Sequence, residues 1–332
     1  MLSPMYIAEI APPKIRGQLV SYNQFAIIFG MLIIYFVNFF IARQGDATWL
    51  NNIGWRWMFA SETIPAGLFL ILLWFVPETP RYMVMKNQDT QAFEVLNKLN
   101  GPENSKSILA EIKESLKITD APWLSYGWLL IAIGIFLSVF QQFVGINVVL
   151  YYAPEIFKNM GSGTESSLLQ TIIVGAVNLT FTVVAIFTVD KFGRKPLQII
   201  GALGMAVSMI SLGLTFYFDV VGLAALIFML IYTASFAMSW GPVTWVLLSE
   251  IFPNRIRGAL SIAVAAQWIA NFIVSWTFPM MDKNTWLNEQ FNHGFAYWIY
   301  GVMGIMAAIF VYKLVPETKG KTLEEMEDVW NA

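Results

Sequence analysis

The sequence predicts an all-α membrane protein with about eight transmembrane helices, and three observations carry that prediction. Hydrophobic residues make up 57% of the 332 and charged residues only 13%, against about 45–50% and about 25% in soluble domains. So few charges could not cover a soluble surface. Eight stretches reach the roughly 20 apolar residues that a helix needs to cross hydrocarbon. The basic residues between them fall overwhelmingly in alternate loops. The aromatic share of 15%, with 26 Phe and 13 Trp, suits a lipid-facing surface edged by interfacial belts.

The spans are expected at about 19–42, 56–76, 126–150, 166–189, 196–217, 222–248, 259–279 and 295–315. No short apolar region with a cleavage site precedes the first, so no removable signal peptide is expected. Sixteen of the 20 Lys and Arg lie on one side of the alternation; Arg43, Arg56, Lys158 and Lys283 lie on the other. The positive-inside rule then places both termini in the cytoplasm. Trp49, Trp55, Trp57, Trp276 and Trp286 fall near the outer span ends. The long polar segment 77–120 would be cytoplasmic. Within it Ile108, Ile112 and Leu116, and Phe93, Leu96 and Leu99, recur at helical spacing, which reads as short amphipathic helices; the alternative is a solvated linker.

Composition also narrows function. A net charge of −2 and a pI near 5.6 argue against nucleic acid as a partner. With no Cys and a single His, disulfides, thiolate metal sites and cysteine nucleophiles are excluded, and most metal and acid–base chemistry goes with them. No metal, no cofactor and no enzymatic activity are expected.

An internal repeat points elsewhere. Glu9-Ile-Ala-Pro-Pro-Lys-Ile-Arg16-Gly17 matches Glu250-Ile-Phe-Pro-Asn-Arg-Ile-Arg257-Gly258 at a separation of 241 residues. Each is followed by two spans and then by Pro77-Glu78-Thr79-Pro80-Arg81 or Pro316-Glu317-Thr318-Lys319-Gly320, 239 residues apart. Duplicated halves characterise transporters, whose substrate sits at the repeat interface. Four spans, over about 126–248, lie between the linker and the second copy and none precedes the first, so the repeat predicts four further spans upstream of Met1. The competing reading is a self-sufficient eight-span protein. The domain organisation expected is a remainder of an N-terminal half over 1–76, a linker over 77–125, a six-helix C-terminal half over 126–315 and a tail over 316–332.

Polar groups inside the spans are sparse. They include Gln24 in the first span, Gln141, Gln142 and Asn147 in the third, Asn178 in the fourth, and Gln267 and Asn271 in the seventh. Amides both donate and accept, as a polyhydroxylated ligand requires, and burying them in a membrane is costly unless they are paired or face a wet cavity. The alternative role for any one of them is to link helices. Gly145 and Pro154 would soften the outer end of the third span, making Tyr151 and Tyr152 a candidate gate, and Gly241-Pro242 would do the same in the sixth, three residues before Trp245. An indole face can stack on the apolar face of a sugar ring. Glu62 is the one carboxylate well inside a span, a candidate for proton coupling or for a structural bond to an Arg. Glu9, Arg16, Asp190, Arg194, Glu250 and Arg257 gather at one membrane face and are suited to bidentate pairs that break when that face opens. His293 reads as a surface residue.

Several motifs resemble the sugar porter family of the major facilitator superfamily: Gln141-Gln-Phe-Val-Gly-Ile-Asn147, Tyr151-Tyr-Ala-Pro-Glu155, Asp190-Lys-Phe-Gly-Arg-Lys195, Gly241-Pro-Val-Thr-Trp245, Pro77-Glu-Thr-Pro-Arg81 and Pro316-Glu-Thr-Lys-Gly320. The segments Ser21–Gly30, Val264–Trp268 and Trp276–Asp282 narrow the resemblance to its D-xylose-transporting bacterial members. The resemblance implies a major facilitator fold, here spans five to twelve of twelve, in a bacterial inner membrane. It implies a monomer whose partners are D-xylose or a related monosaccharide, protons and the bilayer. It assigns the sugar to Gln24, Gln141, Gln142, Asn147 and Trp245, with Gln267 close by, and the charged residues above to a cytoplasmic network. The family's coupling Asp and its partner Arg would lie in the upstream spans. Proton-coupled sugar import by alternating access is the expected function; the alternatives are a non-transporting remnant or sugar-binding sensor, and an uncoupled facilitator.

Overall fold

The computed structural model describes residues 6–7, 10, 16–115, 122–252, 256, 258–319 and 330, with the side chains of 16–21, 100, 115 and 190 excepted. All regular structure among them is helical. Eight helical segments are long and apolar enough to cross a membrane: Tyr22–Ala42, Ala47–Leu73, Trp128–Asn159, Thr164–Val189, Arg194–Tyr217, Leu223–Ile251, Ala259–Asp282 and Phe295–Leu314. These are the first to eighth spans below.

Three spans differ from the sequence expectation, each for a local reason. The second begins at Ala47 rather than 56. Asp46 caps its first turn by accepting the Trp49 N–H at 2.8 Å, and the polar Asn51 and Asn52 are absorbed into a π-helical turn, Leu50–Gly54. Arg56 donates to the Asn52 carbonyl and lies over the Trp55 ring, 4.8 Å from its centroid, which satisfies a cation at the start of a span. The third span runs to Asn159 as two helices, Trp128–Phe143 and Ile146–Asn159. The sixth runs to Ile251 as Leu223–Met238 and Pro242–Ile251.

The chain divides into two compact units, Met1–Gly30 with Phe40–Asp120, and Met31–Phe39 with Ala121–Ala332. In the first, helices Pro80–Met85, Asp89–Asn100 and Pro102–Ser115 follow the second span. Thr79 caps the first of them, accepting the Tyr82 N–H at 3.2 Å ahead of Pro80, an arrangement that uses the proline where no N–H is needed. Met83, Val84 and Ala92 form a small core with Val95, Leu109 and Ile112, and Lys113 pairs with Asp89. The apolar face of Asp89–Asn100 is therefore set by Ala92, Val95 and Leu96, whereas Leu99 is 42% exposed and lies off the face that its spacing suggested.

In the second unit the fifth span packs against the sixth and eighth, the seventh against the third, and the fourth against the sixth. Helices within lipid approach closely where side chains are small. A Cβ on Gly301 would stand 2.6 Å from Ile210, and one on Gly304 3.0 Å from Ala206 and 3.2 Å from the Ala202 carbonyl.

The helix interruptions leave main-chain carbonyls that the helix cannot satisfy, and tyrosines satisfy them. Pro154, inside Ile146–Asn159, has no N–H for the carbonyl of Leu150 four residues earlier; the Tyr35 hydroxyl donates to that carbonyl at 2.8 Å. Pro279, inside Ala259–Asp282, likewise frees the Ser275 carbonyl, which accepts from the Tyr152 hydroxyl at 3.0 Å. At the break itself Gly145 adopts φ 91°, and the Val144 carbonyl beside it accepts from Tyr232 at 2.8 Å. The Tyr300 ring lies over Gly145, where a Cβ would fall 2.7 Å from it. Pro154 thus does not end the helix that contains it; the break belongs to Val144–Gly145.

Tyr232→Phe strands a buried carbonyl and is expected to destabilise the protein by about 1–3 kcal/mol. Gly145→Ala adds left-handed strain of about 1–2 kcal/mol to the clash with Tyr300. Thermal unfolding in detergent measures both, with Tyr151→Phe, at a residue 54% exposed, expected to leave the midpoint unchanged.

Candidate functional site

The third span's break brings the amides of its two halves together. Gln141 and Gln142 end the first helix and Asn147 opens the second; Asn147 Nδ2 donates to Gln142 Oε1 at 2.5 Å. From the seventh span, Gln267 Nε2 donates to Gln141 Oε1 at 2.7 Å, and Gln141 Nε2 donates to the main-chain carbonyl of Trp240 at 2.9 Å. Gln141, Gln142 and Gln267 are all buried. A carbonyl can only accept, so Gln141 must turn its NH₂ to Trp240 and its oxygen to Gln267, and Gln267 must donate. The buried Oε1 of Gln267 is then left without a partner among the described residues. The result is a directed row of amides ending in an acceptor.

Four of the six sugar-binding residues expected from sequence are thus joined in two contacts, Gln141–Gln267 and Gln142–Asn147. Trp245 lies five residues beyond Trp240 on helix Pro242–Ile251 and is 36% exposed, its ring uncommitted to the core. Gln24 is half-buried in the first span and belongs to the other unit. Asn178 is buried in the fourth span, and Asn271 Oδ1 accepts from Ser275 at 3.0 Å. Of the two gate residues, Tyr151 is exposed and Tyr152 is bonded to the seventh span through Ser275. Gly241 and Pro242 form the second break, between Met238 and helix Pro242–Ile251.

Sequence reasoning missed the residues behind the amides. Trp240 is fully buried; its indole Nε1 donates to the Gln198 carbonyl at 2.8 Å. Gln198 Nε2 donates to Thr244 Oγ1 at 3.0 Å, and that hydroxyl donates to the Trp240 carbonyl at 2.8 Å. The available signal was a Gln in the first turns of an apolar span.

At the basic face, Arg194 and Glu250, two of the six residues expected in the charge network, form a bidentate pair, Nε to Oε2 at 3.2 Å and Nη2 to Oε1 at 3.0 Å. Thr318 Oγ1 adds a bond to Glu250 at 2.6 Å. Glu317 accepts the main-chain N–H groups of Arg194 and Lys195, each at 3.0 Å, and so places a carboxylate on the N-terminus of helix Arg194–Tyr217, where the helix dipole and free N–H groups favour an anion. Gly193, at φ 89°, leaves room for it: a Cβ there would fall 2.8 Å from Glu317 Oε2. Glu317 and Thr318 were visible only as part of the repeated Pro-Glu-Thr. Glu9 and Arg257 lie outside the described residues, as do the side chains of Arg16 and Asp190. Glu62 is exposed, between helices Trp55–Ser61 and Thr63–Leu73, and forms no ion pair among the described residues. His293, expected on the surface, instead pairs with the buried Asp282 at 2.9 Å, which also accepts from Asn159 at 3.1 and 3.2 Å.

Broken membrane helices with buried amides at the breaks are the architecture of a carrier for a small polar solute. The chain belongs to the sugar transporter family: the family's sequence model, described as "Sugar (and other) transporter", matches residues 1–330. It is 65% identical over 334 residues to the D-xylose-proton symporter of Escherichia coli K12, covering 99% of this chain and 68% of the relative. It is 45% identical to the glucose facilitated diffusion protein of Zymomonas mobilis, covering 100% of this chain and 71% of that one. Among solved structures, the inward-open xylose transporter of E. coli matches with a TM-score of 0.86 at 63% identity, over 99% of this chain and 69% of that chain.

Removing the Glu317 charge is expected to expose its helix-capping role. Glu317→Gln should cost about 1 kcal/mol, and Glu317→Ala about 1–3 kcal/mol because the N–H groups of Arg194 and Lys195 lose their acceptor. Tryptophan fluorescence during thermal unfolding reports both; equal midpoints for all three proteins would contradict the assignment.

Proposed function

We propose that this protein imports D-xylose together with protons by alternating access across a bacterial inner membrane, as a monomer with both termini in the cytoplasm. The observation that carries the proposal is the 65% identity, sustained over 99% of the chain, to a D-xylose-proton symporter. The directed amides support it chemically: Gln141, Gln142, Asn147 and Gln267 offer donors and acceptors to hydroxyl groups, and Trp245 offers an aromatic face to the ring. Gln24 is a further candidate contact. Rupture of the Arg194–Glu250 pair accompanies opening of the basic face, and Glu62 is the candidate for coupling within this chain.

The experiment is uptake of labelled D-xylose by cells expressing the chain, with membrane insertion verified and with or without a protonophore. Accumulation that collapses with the protonophore is expected. Glu62→Gln should then retain exchange of sugar and lose accumulation, and Gln141→Ala or Trp245→Ala should weaken sugar binding by about tenfold or more, as loss of a buried polar or stacking partner does. Equal affinity in both variants would remove those residues from the site.

A second reading, uncoupled facilitation, draws support from the 45% identity to a glucose facilitated diffusion protein. Equilibration of sugar without accumulation, insensitive to protonophore, would favour it. No uptake by a correctly inserted chain would favour a sugar-binding remnant.

A further inference from the structure

We propose that Trp240, which does not itself face a ligand, fixes the direction of the amide row, and thereby makes the Gln267 end of the sugar site selective for a group that donates a hydrogen bond. The proposal rests on the reading of Gln141 and Gln267 as sugar-binding residues. An isolated amide in a binding site can rotate by half a turn and exchange donor for acceptor. Gln141 cannot, because such a turn would set its oxygen against the Trp240 carbonyl and its NH₂ against that of Gln267, at contacts of 2.9 and 2.7 Å. The carbonyl that imposes this order is itself held from two sides. The Trp240 indole is tied to the Gln198 main chain at 2.8 Å, and the Thr244 hydroxyl, steadied by Gln198 Nε2 at 3.0 Å, donates to the same carbonyl at 2.8 Å. Trp240, Gln198 and Thr244 are each 0% exposed. Gln198 sits four residues into the helix that Arg194 begins, so the row of amides is anchored on the helix whose N-terminus carries the charge cluster.

What the row leaves over is an acceptor, Gln267 Oε1, buried and without a partner among the described residues. A ligand that satisfies it must bring a hydrogen. A hydroxyl can do so; a fluorine or a methoxy group in its place cannot, and a site that leaves its own polar group unpaired discriminates strongly against such an analogue. Trp240 and Thr244 are in this sense positioning residues: their side chains hold the carbonyl where it orders Gln141, and without them that carbonyl can shift away and leave Gln141 able to turn.

Two measurements on the full chain test this. The first needs no sugar. The side-chain amide signals of Gln141 and Gln267 are recorded by NMR on protein labelled with ¹⁵N-glutamine and assigned with Gln141→Met and Gln267→Met. Trp240→Phe and Thr244→Val are expected to move both signals while those of Gln170 and Gln290 stay in place; Thr244→Val alone suffices if Trp240→Phe does not fold. Unmoved Gln141 and Gln267 signals would overturn the proposal. The second measurement is calorimetric binding of D-xylose and its monodeoxyfluoro analogues. Fluorine at one ring position is expected to weaken binding about tenfold in the parent protein, and about twofold in Thr244→Val, because a Trp240 carbonyl no longer held by Thr244 can shift out of reach of Gln141 and so permit the row to reverse. Fluorine tolerated equally at every position would overturn the proposal. Failure of the parent protein to bind D-xylose would defeat the sugar reading instead, while the amide signals still decide whether Trp240 directs the row.

Discussion

Within hydrocarbon a main-chain carbonyl has no water to turn to, and leaving one unpaired costs several kcal/mol. The second unit is organised around the places where a helix cannot supply the missing donor. Pro154 within its helix and Pro279 in the last turn of its helix each remove an N–H, and the left-handed turn at Gly145 interrupts the third span. Tyr35, Tyr152 and Tyr232 answer with hydroxyls at 2.8, 3.0 and 2.8 Å. Each bond crosses from one helix to another, so repairing the backbone also fixes which helices are neighbours. The amides at the break in the third span are held where they are because that break is braced on two sides, by Tyr232 at Val144 and by the Tyr300 ring over Gly145.

The amide row obeys the same rule in a different chemistry. Gln141 and Gln267 would be costly to bury singly, but as consecutive members of one row each satisfies the other, and only the terminal oxygen is left over. Polar networks of this kind give direction and geometry more than net stability. The Arg194–Glu250 pair is a different case. It sits at the end of the spans, with side chains 12% and 27% exposed, where breaking a bidentate pair is affordable because water can replace each partner. A structure whose amides are locked and whose charges can part fits a carrier that keeps one binding site while one face opens and closes.

How much of this was legible in the sequence depended on the distance over which each feature is decided. The spans are set by local composition, and their ends were placed within a few residues except at two points: the start of the second, where a side-chain cap and a π turn carried helix through Asn51 and Asn52, and the end of the third, which runs to Asn159 rather than 150. Arg194 and Glu250 were legible as members of a charge cluster, because they belong to motifs whose chemistry has few other uses inside a membrane protein, but which acid meets which base was not. Leu99 was misplaced because helical spacing identifies a stripe without saying which edge of it faces the partner, and Ala92, with little hydrophobicity of its own, turned out to be central. Trp240 could not be read at all, and Gln198 only as an amide in the first turns of an apolar span. Nothing local distinguishes an indole that donates to a carbonyl 42 residues away from one that merely packs, and the Gln141–Gln267 contact joins residues 126 apart.

Glu317 follows Arg194 by 123 residues in the chain, yet it supplies the acceptor for the first N–H groups of the helix that Arg194 begins. At synthesis rates of about 5–20 residues per second, that helix waits roughly 6–25 s for its cap, while three further spans are made and inserted. Over this interval its N-terminus must be satisfied by water or lipid headgroups, and Glu250, made earlier, is already available to Arg194. The order of manufacture therefore sets an order of assembly: the side-chain pair forms first, and the main-chain cap closes over it when the eighth span is in place. The residues that complete the basic face are thus made only after the sixth, seventh and eighth spans, and these helices can be sorted in the membrane before that face is locked.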